Sequence, residues 1–259
     1  MTNNNPIGLF DSGIGGTSIW AEIHYLLPNE DTIYLADSKN APYGQKSKEE
    51  IIHLSSKNTE LLLEMNCKLI VVACNTATTN AIATLRAKYK VPFIGIEPAI
   101  KPAALNTQTQ KIGILATKGT LNSELFYKNV EKFQDIQIIE QIGFGLVELI
   151  EKGEINSPEM NKLLTSYLKP MINNNIDYLV LGCSHYPYLI PQIKKILPKH
   201  IQIIDSGEAV AKQTKNILHE KVGERKLTTK STQLFYTNTN SKVLTEVLKN
   251  KYQVITKDF

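Results

Sequence analysis

Four short segments in the first hundred residues return in the same order 104 to 109 residues later. Residues 7–12 (IGLFDS) match 112–117 (IGILAT), and residues 31–35 match 135–139. Residues 67–76 (CKLIVVACNT) match 176–185 (IDYLVLGCSH), and Ile96-Glu97 match Ile204-Asp205. Such a chain is expected to fold as two similar units, each repeating the same series of buried strand and covering helix. Short runs of Val, Ile and Leu alternate with longer helical stretches, the pattern of an α/β protein with mainly parallel sheets. Strands are expected at 7–10, 32–36, 69–73, 92–96, 111–116, 136–142, 178–181, 201–204 and 233–236. Helices such as 48–65, 78–88 and 160–173 fall between them. The expected architecture is two similar three-layer α/β lobes related by pseudo-symmetry, with the active site in the cleft between them. The first lobe takes residues 1–98 and the second 99–205. The last ~50 residues are too few for a domain of usual size, so 206–259 are expected to return and complete the first lobe.

A content of 42% hydrophobic and 21% charged residues suits such cores and excludes long disordered tracts, collagen and coiled coil. The longest apolar runs, 69–74 and 178–183, fall far short of the ~20 residues a membrane helix needs. No Lys or Arg precedes Lys39, so no export leader is expected and the chain is expected to be cytoplasmic. The net charge of +4 is uneven: residues 221–259 hold eight basic and three acidic side chains, and the rest is near balance. Without an Arg cluster this segment reads as a solvated face, and no nucleic-acid partner is required. Arg86 and Arg225 are the only arginines. An anionic ligand would therefore be gripped by backbone N–H groups and Ser, Thr or Asn side chains rather than by guanidinium forks.

Three cysteines make neither a disulfide framework nor an all-thiolate zinc site, and HxxxH and CxxC are absent, so no metal is expected. Two of the three occupy equivalent places in the repeat, each ending a strand: Cys74 in VVAC and Cys183 in VLGC. Ligands of open α/β sheets bind beyond the carboxyl ends of the strands. A single buried cysteine reads as a small hydrophobe. Two at matched positions, followed by Asn75-Thr76 and Ser184-His185, read instead as reactive thiols facing each other across a cleft. Asn75 or Thr76 is expected to cap the helix after Cys74, whose N-terminal dipole would favour a thiolate there. Two opposed thiols suit taking a proton from one face of a carbon and returning one to the other, which inverts the centre with no cofactor. His185, two residues past Cys183, fits a base or thiolate partner. Cys67 has no polar setting and is expected to be filler.

Residues 11–16 (DSGIGG) follow the first strand. A Gly-rich turn and a phosphate cradle both fit locally, but the sequence lacks GxxxxGK[ST] and GxGxxG, and Asp11 would repel a phosphate. Asp11 fits better as a partner for a substrate ammonium or as a proton-transfer group. Residues 37–44 (DSKNAPYG) suit a ligand wall or a plain surface turn. Thr117 and Thr120 could offer hydroxyls to a carboxylate.

Taken together, DSGIGG, the loop ending in PYG, ACNTAT at Cys74, IEPAIKPA, GILATKGT and GCSHYP at Cys183 resemble the glutamate racemase family. The resemblance runs from about residue 7 to residue 207 in the family's order. It implies a cofactor-independent enzyme of two α/β lobes, usually a homodimer, that interconverts L- and D-glutamate for peptidoglycan synthesis. It further implies that Cys74 takes the α-proton of D-glutamate and Cys183 that of L-glutamate, assisted by Asp11, His185 and Glu151. Substrate contacts are implied at Asp11, Ser12, Tyr43, Gly44, Asn75, Thr76, Ser184 and His185, with Thr117 and Thr120 as weaker candidates. The chain departs from the family pattern at Ser184, where Thr is usual, at Gly143-Phe144-Gly145 in place of Cys-Pro-Leu, and at Glu148 in place of Pro.

Three other readings remain: racemisation of aspartate or another amino acid by the same chemistry, a non-catalytic bilobed amino-acid-binding protein, and a thiol hydrolase. A binding module has no need of paired thiols at strand ends. A hydrolase needs an orienting Asn or Asp around one cysteine, which the sequence does not offer.

Overall fold

Apolar runs without polar interruption make strands buried on both faces, the mark of a parallel sheet covered by helices. All residues of β1 (Ile7–Asp11), β2 (Thr32–Ala36) and β3 (Leu69–Val72) are buried in this way. The molecule, a computed structural model, is described over residues 2–226 and 230–259; residues 227–229 of the Lys-rich segment lie outside the described residues. The remaining strands are β4 (Phe93–Gly95), β5 (Lys111–Ala116), β6 (Gln137–Ile142), β7 (Tyr178–Gly182), β8 (Gln202–Ile204), β9 (Gln233–Thr237) and β10 (Val254–Thr256).

These form two sheets, ordered β10-β9-β2-β1-β3-β4 and β6-β5-β7-β8, with parallel pairing throughout. The repeat is visible in this topology. The order β2-β1-β3-β4 of the first sheet is the order β6-β5-β7-β8 of the second, so Cys74 and Cys183 follow corresponding strands. In each sheet the chain reverses its winding at the central strand, β1 or β5, which is where open α/β sheets hold ligands.

One of the apolar clusters runs from one sheet to the other. Ile7, Leu9 and Val71 of the first lobe share it with Leu115, Leu181 and Tyr186 of the second. After Asp205, helix Gly207–Ile217 packs on helix Thr17–Leu26, and β9 pairs with β2. Lys68 fastens this returning segment: its buried ammonium donates to Glu30 Oε2 (2.7 Å) and to the Gly223 carbonyl (3.2 Å).

The nine expected strands are present with ends shifted by at most two residues. The tenth, β10, was not expected, being a three-residue edge strand that is only partly buried. The helix expected from residue 78 begins at Asn75. Its N-cap is Cys74 rather than Asn75 or Thr76, because the thiol itself accepts the Ala77 N–H at 3.4 Å. Among the described residues no helix is long and apolar enough to cross a membrane, and no group of His, Cys, Asp and Glu is placed to hold a metal ion.

Candidate active site

The carboxyl ends of β1, β3, β5 and β7 converge. Asp11, the last residue of β1, is fully buried. Its Oδ2 accepts the backbone N–H groups of Gly13 (3.2 Å) and Gly16 (3.0 Å), so the DSGIGG turn wraps the carboxylate rather than a phosphate. Its Oδ1 accepts the Ser184 hydroxyl at 3.0 Å. That bond crosses from one lobe to the other. Burial raises the Asp11 carboxyl above its ordinary value, against the opposing charge of His185 and the Gly16 N–H.

Both strand-end thiols adjoin this carboxylate. Cys74 Sγ lies 3.7 Å from the Ser12 hydroxyl. Cys183 Sγ lies 3.9 Å from His185 Nδ1, which is itself 3.9 Å from Asp11 Oδ2. Cys74 and Cys183 are buried, at 4% and 7% exposed. Burial pushes the Cys74 thiol up, and the Asp11 charge adds to it; the Ala77 N–H works the other way. Cys67 is buried apart from both in the first-lobe core, and burial pushes it up to about 12.

Glu151 enters from helix Leu146–Glu151 and ties the two lobes at this point. Its Oε1 accepts the Ile14 N–H (2.7 Å) and meets His185 Nε2 (2.5 Å), while Oε2 accepts the Ser38 hydroxyl (2.8 Å). Burial alone would lower His185. The hydrogen bonds with Cys183 and Glu151 and the Asp11 charge overcome it and hold the imidazole well above its ordinary value. The approach depends on glycine: a Cβ on Gly13 would stand 2.0 Å from Glu151 Oε1, and one on Gly15 would stand 2.2 Å from His185 Nδ1.

On the other side of Cys74, the Thr76 and Thr117 hydroxyls meet across the lobes at 2.8 Å, with Thr120 3.4 Å from Thr76. Gly44 packs so closely on this cluster that a Cβ there would stand 2.7 Å from Thr117 Cβ. Tyr43 is buried behind it with its hydroxyl 2.5 Å from Asp37 Oδ2. Asn75 is the informative residue: both atoms of its side-chain amide are buried without a partner. Such a group costs about 1–3 kcal/mol unless a ligand or water completes it.

Every residue expected at the site therefore lies at this convergence. Residues not anticipated there include Tyr34, whose hydroxyl donates to the Gly13 carbonyl (2.8 Å), and Ser18, which donates to the Ser184 carbonyl (2.9 Å). The Tyr188 and Thr17 hydroxyls make a further cross-lobe bond. No spacing in the chain signals these pairings.

Gly143, Phe144, Gly145 and Glu148 lie beside Gly44 and Thr117. Gly145 adopts φ +79°, and a Cβ on Gly143 would stand 2.3 Å from the Tyr186 hydroxyl. Glu148 accepts from Gln45 at 2.6 Å, bridging the lobes beside a small cleft lined by Pro42, Gly44, Thr117 and Gly143.

The pattern of the Asp/Glu/hydantoin racemases matches residues 15–214. The chain belongs to the Asp/Glu/hydantoin racemase family. It is thus an isomerase. A glutamate racemase of Herpetosiphon aurantiacus is 44% identical over 216 residues, covering 83% of this chain and 85% of that one. A glutamate racemase of Ralstonia pickettii is 46% identical, covering 80% and 74%. The glutamate racemase of Escherichia coli, solved with L-glutamate and the activator UDP-MurNAc-Ala, superposes with a TM-score of 0.87 at 33% identity, covering 98% of both chains. A glutamate racemase isoform of Bacillus anthracis gives 0.87 at 30% identity, covering 98% and 97%.

Proposed function

We propose that this racemase interconverts L- and D-glutamate without a cofactor, using Cys74 and Cys183 as the two proton-transfer groups. The observation that carries the reading is the placement of one thiol at the matched strand end of each lobe, joined through Ser12, Asp11 and His185. With D-glutamate bound, the Cys74 thiolate removes the α-proton, leaving a carbanion at Cα. The Cys183 thiol delivers a proton to the opposite face, giving L-glutamate, a Cys74 thiol and a Cys183 thiolate. The reverse reaction exchanges the roles. The charge of His185, held by Glu151, supports a proton at hand beside Cys183. Asp11 serves the substrate ammonium, whose arrival also offsets the negative charge that raises Cys74.

The substrate carboxylates fall to Ser12, Asn75, Thr76, Thr117, Thr120 and Ser184 and to the backbone at Tyr43-Gly44, with the unpartnered Asn75 amide as the strongest single support. This is the arginine-free grip that the composition calls for. We further place the enzyme in the cytoplasm as a homodimer supplying D-glutamate for peptidoglycan, with lobes of residues 1–98 plus 206–259 and 99–205. The test is racemisation followed by circular dichroism, with L- or D-glutamate and no added cofactor, and aspartate run alongside. Loss of optical activity from both glutamate enantiomers supports the reading. Activity on aspartate alone would replace the substrate, and activity on neither would overturn it.

A further inference from the structure

The loop that carries Tyr43 and Gly44 is fastened by a residue nearly two hundred positions away. Asp37, just past β2, is 2% exposed and its carboxylate gathers four donors. Oδ2 accepts from the Tyr43 hydroxyl (2.5 Å) and Asn58 Nδ2 (3.4 Å), and Oδ1 from Asn40 Nδ2 (2.8 Å) and Asn238 Nδ2 (2.5 Å). Three of these come from the loop itself or from the helix that follows it. Asn238 comes from the far end of the chain, where β9 pairs with β2 in a register that sets Thr237 against Ala36. Each residue just past those strand ends therefore faces the other.

The Asn238 side chain uses both ends. Its Oδ1 accepts the Lys39 backbone N–H at 2.9 Å, and its Nδ2 also donates to the Phe259 carbonyl at 3.1 Å. One amide thus holds the loop at Asp37 and at Lys39 and joins it to the segment that follows β10. The loop in turn reaches the second lobe, where Gly44 packs on Thr117. Such fixed placement matters at a ligand wall, because a displacement of about 1 Å can cost up to ~10²-fold in rate or affinity.

We infer that Asn238 is a positioning residue for the substrate: its amide holds the loop 37–44 so that Tyr43 and Gly44 present a preformed wall to glutamate. The substrate part of this inference rests on the proposed function. It also gives the returning segment 206–259 a role in the reaction beyond completing a sheet.

Asn238→Ala is expected to raise KM for glutamate about fivefold or more with kcat changed less than about twofold, since the thiols and their neighbours are untouched. Asn238→Asp, of the same shape, keeps the acceptor for Lys39 but sets a second carboxylate against Asp37, and is expected to raise KM further. Hydrogen exchange on the ligand-free variants is expected to quicken at amides 38–46 and stay unchanged in β1 and β3. That readout is independent of turnover. A wild-type chain inert on glutamate would sink the proposed function, while the exchange pattern would still decide the role of Asn238. Unchanged KM and unchanged exchange at 38–46 would overturn the inference. So would an equal fall in kcat, or loosening across the whole first sheet, because Asn238 would then be a general support of the fold.

Discussion

His185 Nε2 lies 2.5 Å from Glu151 Oε1, and this contact links the loop after Cys183 to the turn that follows β1. The same carboxylate oxygen accepts the Ile14 N–H, and Ile14 lies in the turn that wraps Asp11. Glu151→Gln keeps the shape and removes the charge that helps to hold His185 protonated. Its kcat is expected to fall on the order of 10²-fold with KM little changed, read by circular dichroism at saturating glutamate. A variant as fast as the wild type would remove Glu151 from the machinery.

The raised His185 value also makes stability depend on pH. A base raised in the folded state contributes stability in full below its unfolded value of 6.5, and that contribution is lost as pH rises through the folded value. The stability advantage of wild type over Glu151→Gln should therefore be greatest below pH 6.5 and shrink at higher pH. Paired denaturant titrations across that range measure the difference. An advantage that grows with pH would contradict the assignment of charge.

The three cysteines should separate by function. Cys74→Ala and Cys183→Ala are each expected to lose at least about 10³-fold in racemisation while folding normally. Cys67→Ala removes only a core contact above Gly8, and should cost about 1 kcal/mol of stability and leave kcat near wild type. Initial rates and denaturant midpoints on the three variants check this.

Asp11 raises the Cys74 thiol, so removing its charge should make Cys74 easier to ionise. In Asp11→Asn, iodoacetamide is expected to label Cys74 faster than in the wild type at the same pH, with the rate at Cys67 unchanged. Peptide mass mapping distinguishes the two sites. Slower labelling of Cys74 would contradict the electrostatic account.

Gly13→Ala tests the close approach of the lobes. A Cβ at that position cannot coexist with the Glu151 carboxylate as placed, so kcat should fall at least about tenfold while the strands stay intact. Near-normal activity would mean that the Glu151 contact with the Asp11 turn is dispensable.

Much of this was legible in the sequence because the features are local. The strands are unbroken apolar runs, and the repeat offsets pair β1 with β5 and β3 with β7, which brings Cys74 and Cys183 to corresponding strand ends. What was not legible depends on register or on unusual chemistry. Asn238 meets Asp37 only because β9 lands beside β2 across 201 residues. Glu151 reaches Ile14 across 137 residues, and in the sequence only the family resemblance points to it. Nothing in the sequence marks Cys74 as a helix cap, because a thiol is a weak acceptor and Ser, Thr, Asp and Asn dominate that position. The edge strand β10 is too short and too exposed to carry a pattern.

If two thiols act on opposite faces of one carbon, the fate of the substrate α-hydrogen reveals it. Protiated D-glutamate is incubated with the enzyme in D2O, and both enantiomers are recovered and examined by mass spectrometry at low conversion. L-glutamate carrying deuterium at Cα and remaining D-glutamate still protiated are expected, because the proton leaves on one thiol and a solvent-derived one arrives from the other. L-glutamate that retains its protium, or early deuterium in both pools alike, would mean a single base serves both faces and would contradict it.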